Sequence, residues 1–344
     1  MIQERSRLKS RLIKVLLVLG AATAVCFCLH LVFGGSIWYS PATVFSSIFN
    51  PAGADEQVQV VIWEIRLPRA IACIFVGVML ATVGSVFQAL FRNPLAEPYV
   101  LGVSSGAGAA GALGVLLGLS TALGGLGVMA LAFGGGLGTL LLVLALSRRA
   151  GQVDVVTLLL SGVVIGAMLA AIMTLILLFA GQDTNRVLRW LLGSMSPMFW
   201  NRVLILAVVA VVGVVFLAFH AKVLNAMAVS EPFSKSIGID PPKVRARMLI
   251  AGTAMTAVCV GAVGIIGFLG LVAPHIARRA FDVDWRISLP AAAFLGASLL
   301  LLADLLAVRL LSPIELPVGA VMAALGAPIL LWLLRYSKRE ATLG

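Results

Sequence analysis

The sequence predicts an all-α polytopic membrane protein, a single membrane domain over residues 1–344 with about ten spanning helices. Three observations carry that reading. Of 344 residues, 61% are hydrophobic and 11% charged, with a mean hydropathy of +1.10, whereas soluble domains carry about 25% charged residues. The apolar residues fall in runs of about 20, the length that crosses a bilayer as a helix. Lys and Arg collect at the ends of these runs, as the positive-inside rule expects. The net charge of +11 therefore does not point to nucleic acid, whose binding needs basic residues gathered on one face or arm.

In chain order, Arg5, Arg7, Lys9, Arg11 and Lys14 precede an apolar run from Val15 to Phe33. It is long and lacks a small-x-small cleavage site, so it reads as an uncleaved first span with the N-terminus inside. Gly34 to Trp63 contains Asp55 and Glu56 but no Lys or Arg and belongs outside. The second span opens at RLPR, Arg66 to Arg69, and ends near Phe91, with RNPLAEP (Arg92 to Pro98) inside. A third span, Gly102 to Leu117, is rich in small residues, which favours close approach of helix backbones. The fourth, Ala122 to Leu146, ends at Arg148 and Arg149; the fifth, Val155 to Ala180, leads to an outside loop with Asp183, Arg186, Arg189 and Trp190. The sixth, Val203 to Phe219, delivers the chain to a charged inside stretch, Lys222 to Arg247.

Met248 to Ala277 is too long for one crossing and too short for two full ones. Gly261, Gly264, Gly267, Gly270 and Pro274 predict a broken passage, a full helix and then a short return whose helix starts near His275. A ninth span runs from Ile287 to Ala307, and a tenth from Val318 to Leu334 ends inside at Arg335, Lys338 and Arg339. RNPLAEP follows the second span as GFLGLVAPHIARR follows the seventh, so spans 2–5 and 7–10 read as two inverted repeats.

The chain contains no G-x-x-x-x-G-K-[ST] loop, so nucleotide hydrolysis belongs to another subunit. No metal set and no nucleophile–base pair stands at helical spacing, and an enzyme is not expected. Cys26 and Cys28 point about 200° apart on a helix. With Cys73 and Cys259 they read as small buried hydrophobes. Asp304, inside a span, fits either a structural ion pair or a proton relay. His275 fits a hydrogen-bonded residue or a ligand. Met168, Met173 and Met195 fit packing or an apolar route. Two transporter classes stay open at this point, a permease driven by a separate ATPase and an ion-coupled secondary transporter.

RLPR, QALFRNPLAEPYVLGVSSGAG (Gln88 to Gly108), GFLGLVAPHIAR (Gly267 to Arg278) and AD…ELPVG…LGAP (Ala303 to Pro328) together resemble the FecCD family of ABC importer permeases. That family includes the permeases for vitamin B12, haem and ferric siderophores. The resemblance implies a type II ABC importer permease in a bacterial inner membrane, with both termini cytoplasmic. It implies a homodimer that forms the pathway, two ATPase subunits inside and a substrate-binding protein outside. No cofactor is expected in this chain, ATP and Mg being handled by the ATPase. The cargo implied is an iron chelate, haem or a ferric siderophore, with cobalamin as the alternative.

By the same resemblance, Arg66, Arg69 and Arg309 dock the binding protein, Arg309 being displaced by one residue from the family's usual spacing after Asp304. Asn93 and Leu95, with Val155 and Val156, form a cytoplasmic gate. Met227, Ala228, Glu231, Phe233, Lys235, Ile237 and Gly238 couple to the ATPase, in amphipathic pieces broken at Pro232. Read without the family, Lys222–Arg247 is an ordinary solvated loop, the arginines are anchors at the membrane surface and Asn93 is a turn residue before Pro94.

Overall fold

The computed structural model describes residues 2–35, 37–53, 55–119, 126–149 and 152–342. Backbone groups in hydrocarbon must find partners within their own segment, so helices dominate. The chain runs through α1 (Ile2–Phe33), α2 (Pro41–Phe49) and α3 (Glu56–Val60), then a π-helical turn (Val61–Arg66) that continues into α4 (Leu67–Phe91). Next come α5 (Val103–Leu116), α6 (Leu126–Leu146), α7 (Val155–Phe179), α8 (Thr184–Leu191) and α9 (Trp200–Phe219). The chain then continues as α10 (Ala221–Val229), α11 (Glu231–Ser236), α12 (Pro241–Val263), α13 (Leu269–Ala280), α14 (Trp285–Arg309) and α15 (Val318–Thr342). A two-residue antiparallel ladder pairs β1 (Arg148–Arg149) with β2 (Gln152–Val153) between α6 and α7.

Seven of these helices are long and apolar enough to cross a membrane, by length and composition: α1, the α3–α4 rod, α6, α7, α9, α12 and α14. The shorter apolar helices among the described residues are α5 and the Val318–Trp332 part of α15, and α13 stands where the sequence reading expected the short return. The first residues of the fourth predicted span, 122–125, lie outside the described residues. Several starts are set by side chains that take up orphan N–H groups. Asp154 accepts from the Thr157 N–H at 2.8 Å, Asp284 from Arg286 at 2.9 Å and Ser230 from Phe233 at 3.1 Å.

The broken passage is present, with its parts displaced from the sequence reading. Helix α12 ends at Gly264, whose φ is +77°. A Cβ there would lie 2.0 Å from the Trp190 carbonyl, so only glycine fits. Pro274 is not at the break; it lies inside α13, and His275 is therefore in mid-helix rather than at a helix start. Proline deprives the carbonyl four residues earlier of its partner. That carbonyl belongs to Gly270, and it accepts from Gln88 Nε2 of α4 at 3.2 Å instead.

Packing follows a twofold logic. Helix α4 lies along α14 as α12 lies along α6, while α4 and α12 touch each other. After α4, residues Arg92 to Leu101 fold back into the bundle; after α12, residues Gly264 to Phe268 do the same. Each return seats on a glycine of the last helix of its own repeat. A Cβ on Gly162 of α7 would meet Leu101 Cα at 2.8 Å, and one on Gly326 of α15 would meet Phe268 Cβ at 2.5 Å. The Tyr99 hydroxyl donates to the Ile266 carbonyl at 2.9 Å and joins the two returns. Small residues permit this closeness: a Cβ on Gly84 would lie 2.0 Å from Gly270 O.

Candidate functional site

The two ends of the bundle carry different chemistry. At the end where RLPR lies, the helix of α1 stops at Phe33 and leaves carbonyls without intrahelical partners. Arg66 Nη1 donates to Leu31 O at 2.8 Å and to Val32 O at 2.9 Å, and its Nη2 donates to Ile37 O. Arg309 Nε donates to Phe33 O at 2.6 Å. Two guanidiniums thus cap the negative end of one helix dipole.

Arg69 is 4% exposed and grips Asp304 through Nε at 2.7 Å and Nη2 at 3.0 Å. Its Nη1 holds Glu315 at 2.9 Å, and His30 Nε2 lies 2.8 Å from Asp304 Oδ2. Asp304 is fully buried, and it is paired as the structural reading of that residue expects. His30, Cys73 and Asp304 converge within 4.8 Å, with the Asp304 oxygens already held by Arg69 and His30.

The three arginines of the sequence reading share this end, but Arg66 and Arg69, at 1% and 4% exposure, point into the protein. Arg309 is half-buried, and Glu315, with 45% of its side chain exposed, is the outermost charge of the cluster. The sequence reading missed His30 and Glu315. Each is paired through residues more than 240 positions away, so no local pattern marks them.

The opposite end holds α10 and α11. The break between them is at Ser230, not Pro232. Pro232 sits in the first turn of α11, where an N–H is not required. Met227 is 2% exposed and faces its own chain, which removes it from the surface group. Val229, Phe233 and Ile237 are 68%, 45% and 54% exposed, and Ala228, Lys235 and Gly238 are also exposed. Val229 was not foreseen. Glu231 pairs with Arg245 of α12, which is buried at 5% exposure.

This surface is braced from beneath. Asn225 Nδ2 donates to Asp284 Oδ1 at 2.8 Å and Asn225 Oδ1 accepts from the Trp285 N–H at 3.0 Å, tying α10 to α14. Burial alone would raise the Asp284 carboxyl, but hydrogen bonds from Arg286 and Asn225 hold it below the usual range.

The RNPLAEP loop lies beside this helix pair. Asn93 Oδ1 accepts from the Leu95 N–H at 2.9 Å, an Asx turn. Leu95 and Val156 are 45% and 64% exposed, and Val155 is half-buried. Arg92, at φ +48°, donates from Nε to Met227 O at 3.1 Å. This bond links the loop to α10.

The whole arrangement can be set beside known proteins. A structure described as an inward-facing conformation of a metal-chelate type ABC transporter matches with a TM-score of 0.83 at 28% identity, covering 94% of this chain and 99% of that one. PsaBC from Streptococcus pneumoniae, at 15% identity and a TM-score of 0.58, shares the fold alone. The vitamin B12 import system permease protein BtuC of Escherichia coli O9:H4 is 37% identical over 342 residues, 98% of each chain. YvrB of Bacillus subtilis, an ABC transporter permease protein, is 37% identical over 303 residues, 87% of this chain and 82% of its own length. The FecCD transport family model matches residues 22–336. The chain belongs to the FecCD transport family and is a multi-pass ABC importer permease.

Proposed function

We propose that this permease works as a homodimer, takes cargo from a binding protein at the RLPR end and is driven by ATPase subunits seated on α10 and α11. The single observation that carries the reading is the bare apolar face of Val229, Phe233 and Ile237 on a helix pair held by its own polar contacts. A solvated loop has no reason to brace apolar side chains outward, whereas a socket in a partner does. Arg92 then passes movement of α10 to the gate loop, where Asn93 fixes the turn and Leu95, Val155 and Val156 narrow the passage. At the other end Arg309 and Glu315 are accessible to the binding protein, and Arg66 and Arg69 hold that surface from below.

The cargo in this reading is an iron chelate, haem or a ferric siderophore, in keeping with the metal-chelate transporter that shares the fold. The similarity to BtuC favours a second reading, cobalamin. The test is uptake by proteoliposomes carrying the permease with its ATPase and binding protein, offered haem, ferric siderophore or cobalamin. ATP-dependent accumulation of one of them is expected. Full uptake without the ATPase contradicts the reading.

A further inference from the structure

A cavity of about 250 Å³ opens at the RLPR end between α5, α6, α8 and α12. Its floor is apolar, made by Val115, Val128, Ala262 and the Trp190 ring, and its rim carries Arg186, Arg189 and Arg202, with Ser194 and Ser196 beside them. Trp190 is locked in place: a Cβ on Gly111 would fall 2.0 Å from its ring.

Three like charges around one small cavity repel each other, and among the described residues no Asp or Glu lines it. Arg186 reaches Asp183 at 3.6 Å, an exposed pair with little hold. Arg202 lies over the Phe199 ring at 5.5 Å. Arg189 is exposed and makes no hydrogen bond or ion pair among the described residues. Arg189 thus has no carboxylate partner among the described residues, and guanidinium forks suit a carboxylate. The volume admits a carboxylate arm and its apolar stem but not a whole macrocycle.

We infer that this cavity receives a carboxylate arm of the cargo, held by Arg186 and Arg189 with its stem against Trp190. This rests on the importer reading and narrows its substrate class to chelates with free carboxylates, away from amide-bearing corrinoids. The cavity is separate from Arg66, Arg69 and Arg309, whose donors serve α1, Asp304 and Glu315.

The experiment measures binding alone, with the permease in neutral-lipid nanodiscs. Protoporphyrin IX and its dimethyl ester share one apolar body and differ in whether the carboxylates are free. Quenching of tryptophan emission reports binding, and Trp190→Phe identifies the local signal. The free acid is expected to bind at least about tenfold more tightly than the ester, the worth of one charge-assisted hydrogen bond or more. Arg189→Gln and Arg186→Gln should each shrink that preference, and Arg189→Lys should keep part of it. Equal affinity for acid and ester, or a preference untouched by Arg189→Gln, overturns the inference. No ATPase is present, so failure of uptake and failure of this site are read separately.

Discussion

The two ends of the bundle invert the usual distribution of side chains in opposite senses. At the RLPR end charged groups are buried: Asp304 fully, Arg66 at 1% and Arg69 at 4% exposure. At the α10 end large apolar groups are bare: Val229 at 68% and Ile237 at 54%. Buried charge persists only when paired, and every member of the first cluster has a named partner within this chain. Exposed apolar surface has no such internal account. The first end is explained by contacts within the protein, and in the proposed reading the second is covered by a partner.

The sharpest way to break that contrast is to remove a buried partner. Asp304→Ala leaves Arg69 with only the half-exposed Glu315 and takes the carboxylate from His30, and should cost about 3–5 kcal/mol, seen as loss of a cooperative melt in purified protein. Glu315→Gln, at the exposed edge of the same network, should cost about 1 kcal/mol or less. Equal effects would mean that the cluster is not organised around Asp304.

At the other end Glu231→Gln removes the Glu231–Arg245 ion pair and should cost about 1–3 kcal/mol. Phe233→Ala and Ile237→Ala should move stability by no more than about 0.5 kcal/mol, being surface changes. ATP hydrolysis coupled to transport should nevertheless fall. A large drop in melting temperature for either would show that the face packs within this chain.

The smallest effect concerns acid. The Asp284 carboxyl is held below its ordinary 3.8, so the folded state binds fewer protons there than the unfolded chain does. Its contribution is present above pH 3.8 and is lost as pH falls through the lower folded value. Asp284→Asn should flatten the melting temperature against pH in that range and change little at neutral pH.

Sequence periodicity revealed the helices because an apolar run of sufficient length has one stable answer in lipid. The broken passage was visible for the same reason, since its length fits neither one crossing nor two. What was hidden lies in pairings between distant residues. RLPR looks like an exposed basic motif, and its inward aim depends on the carbonyls of Leu31 and Val32 and on Asp304, 235 positions from Arg69. Pro274 looks like a break until Gln88 is seen to take up the carbonyl that it frees. Met227 and Val229 are two positions apart on one helix and so face different ways, a distinction composition does not make.

In the proposed mechanism the bare face of α10 and α11 seats a motor and Arg92 carries its movement to the gate loop. Uptake per ATP hydrolysed, measured in proteoliposomes holding the permease, ATPase and binding protein, tests it most directly. Uptake should require the ATPase, and Phe233→Glu should abolish it in a permease that melts as the native chain does. Arg92→Gln should leave ATP hydrolysis running while uptake per ATP falls. Unchanged uptake per ATP in both variants, or uptake without the ATPase, would contradict the account.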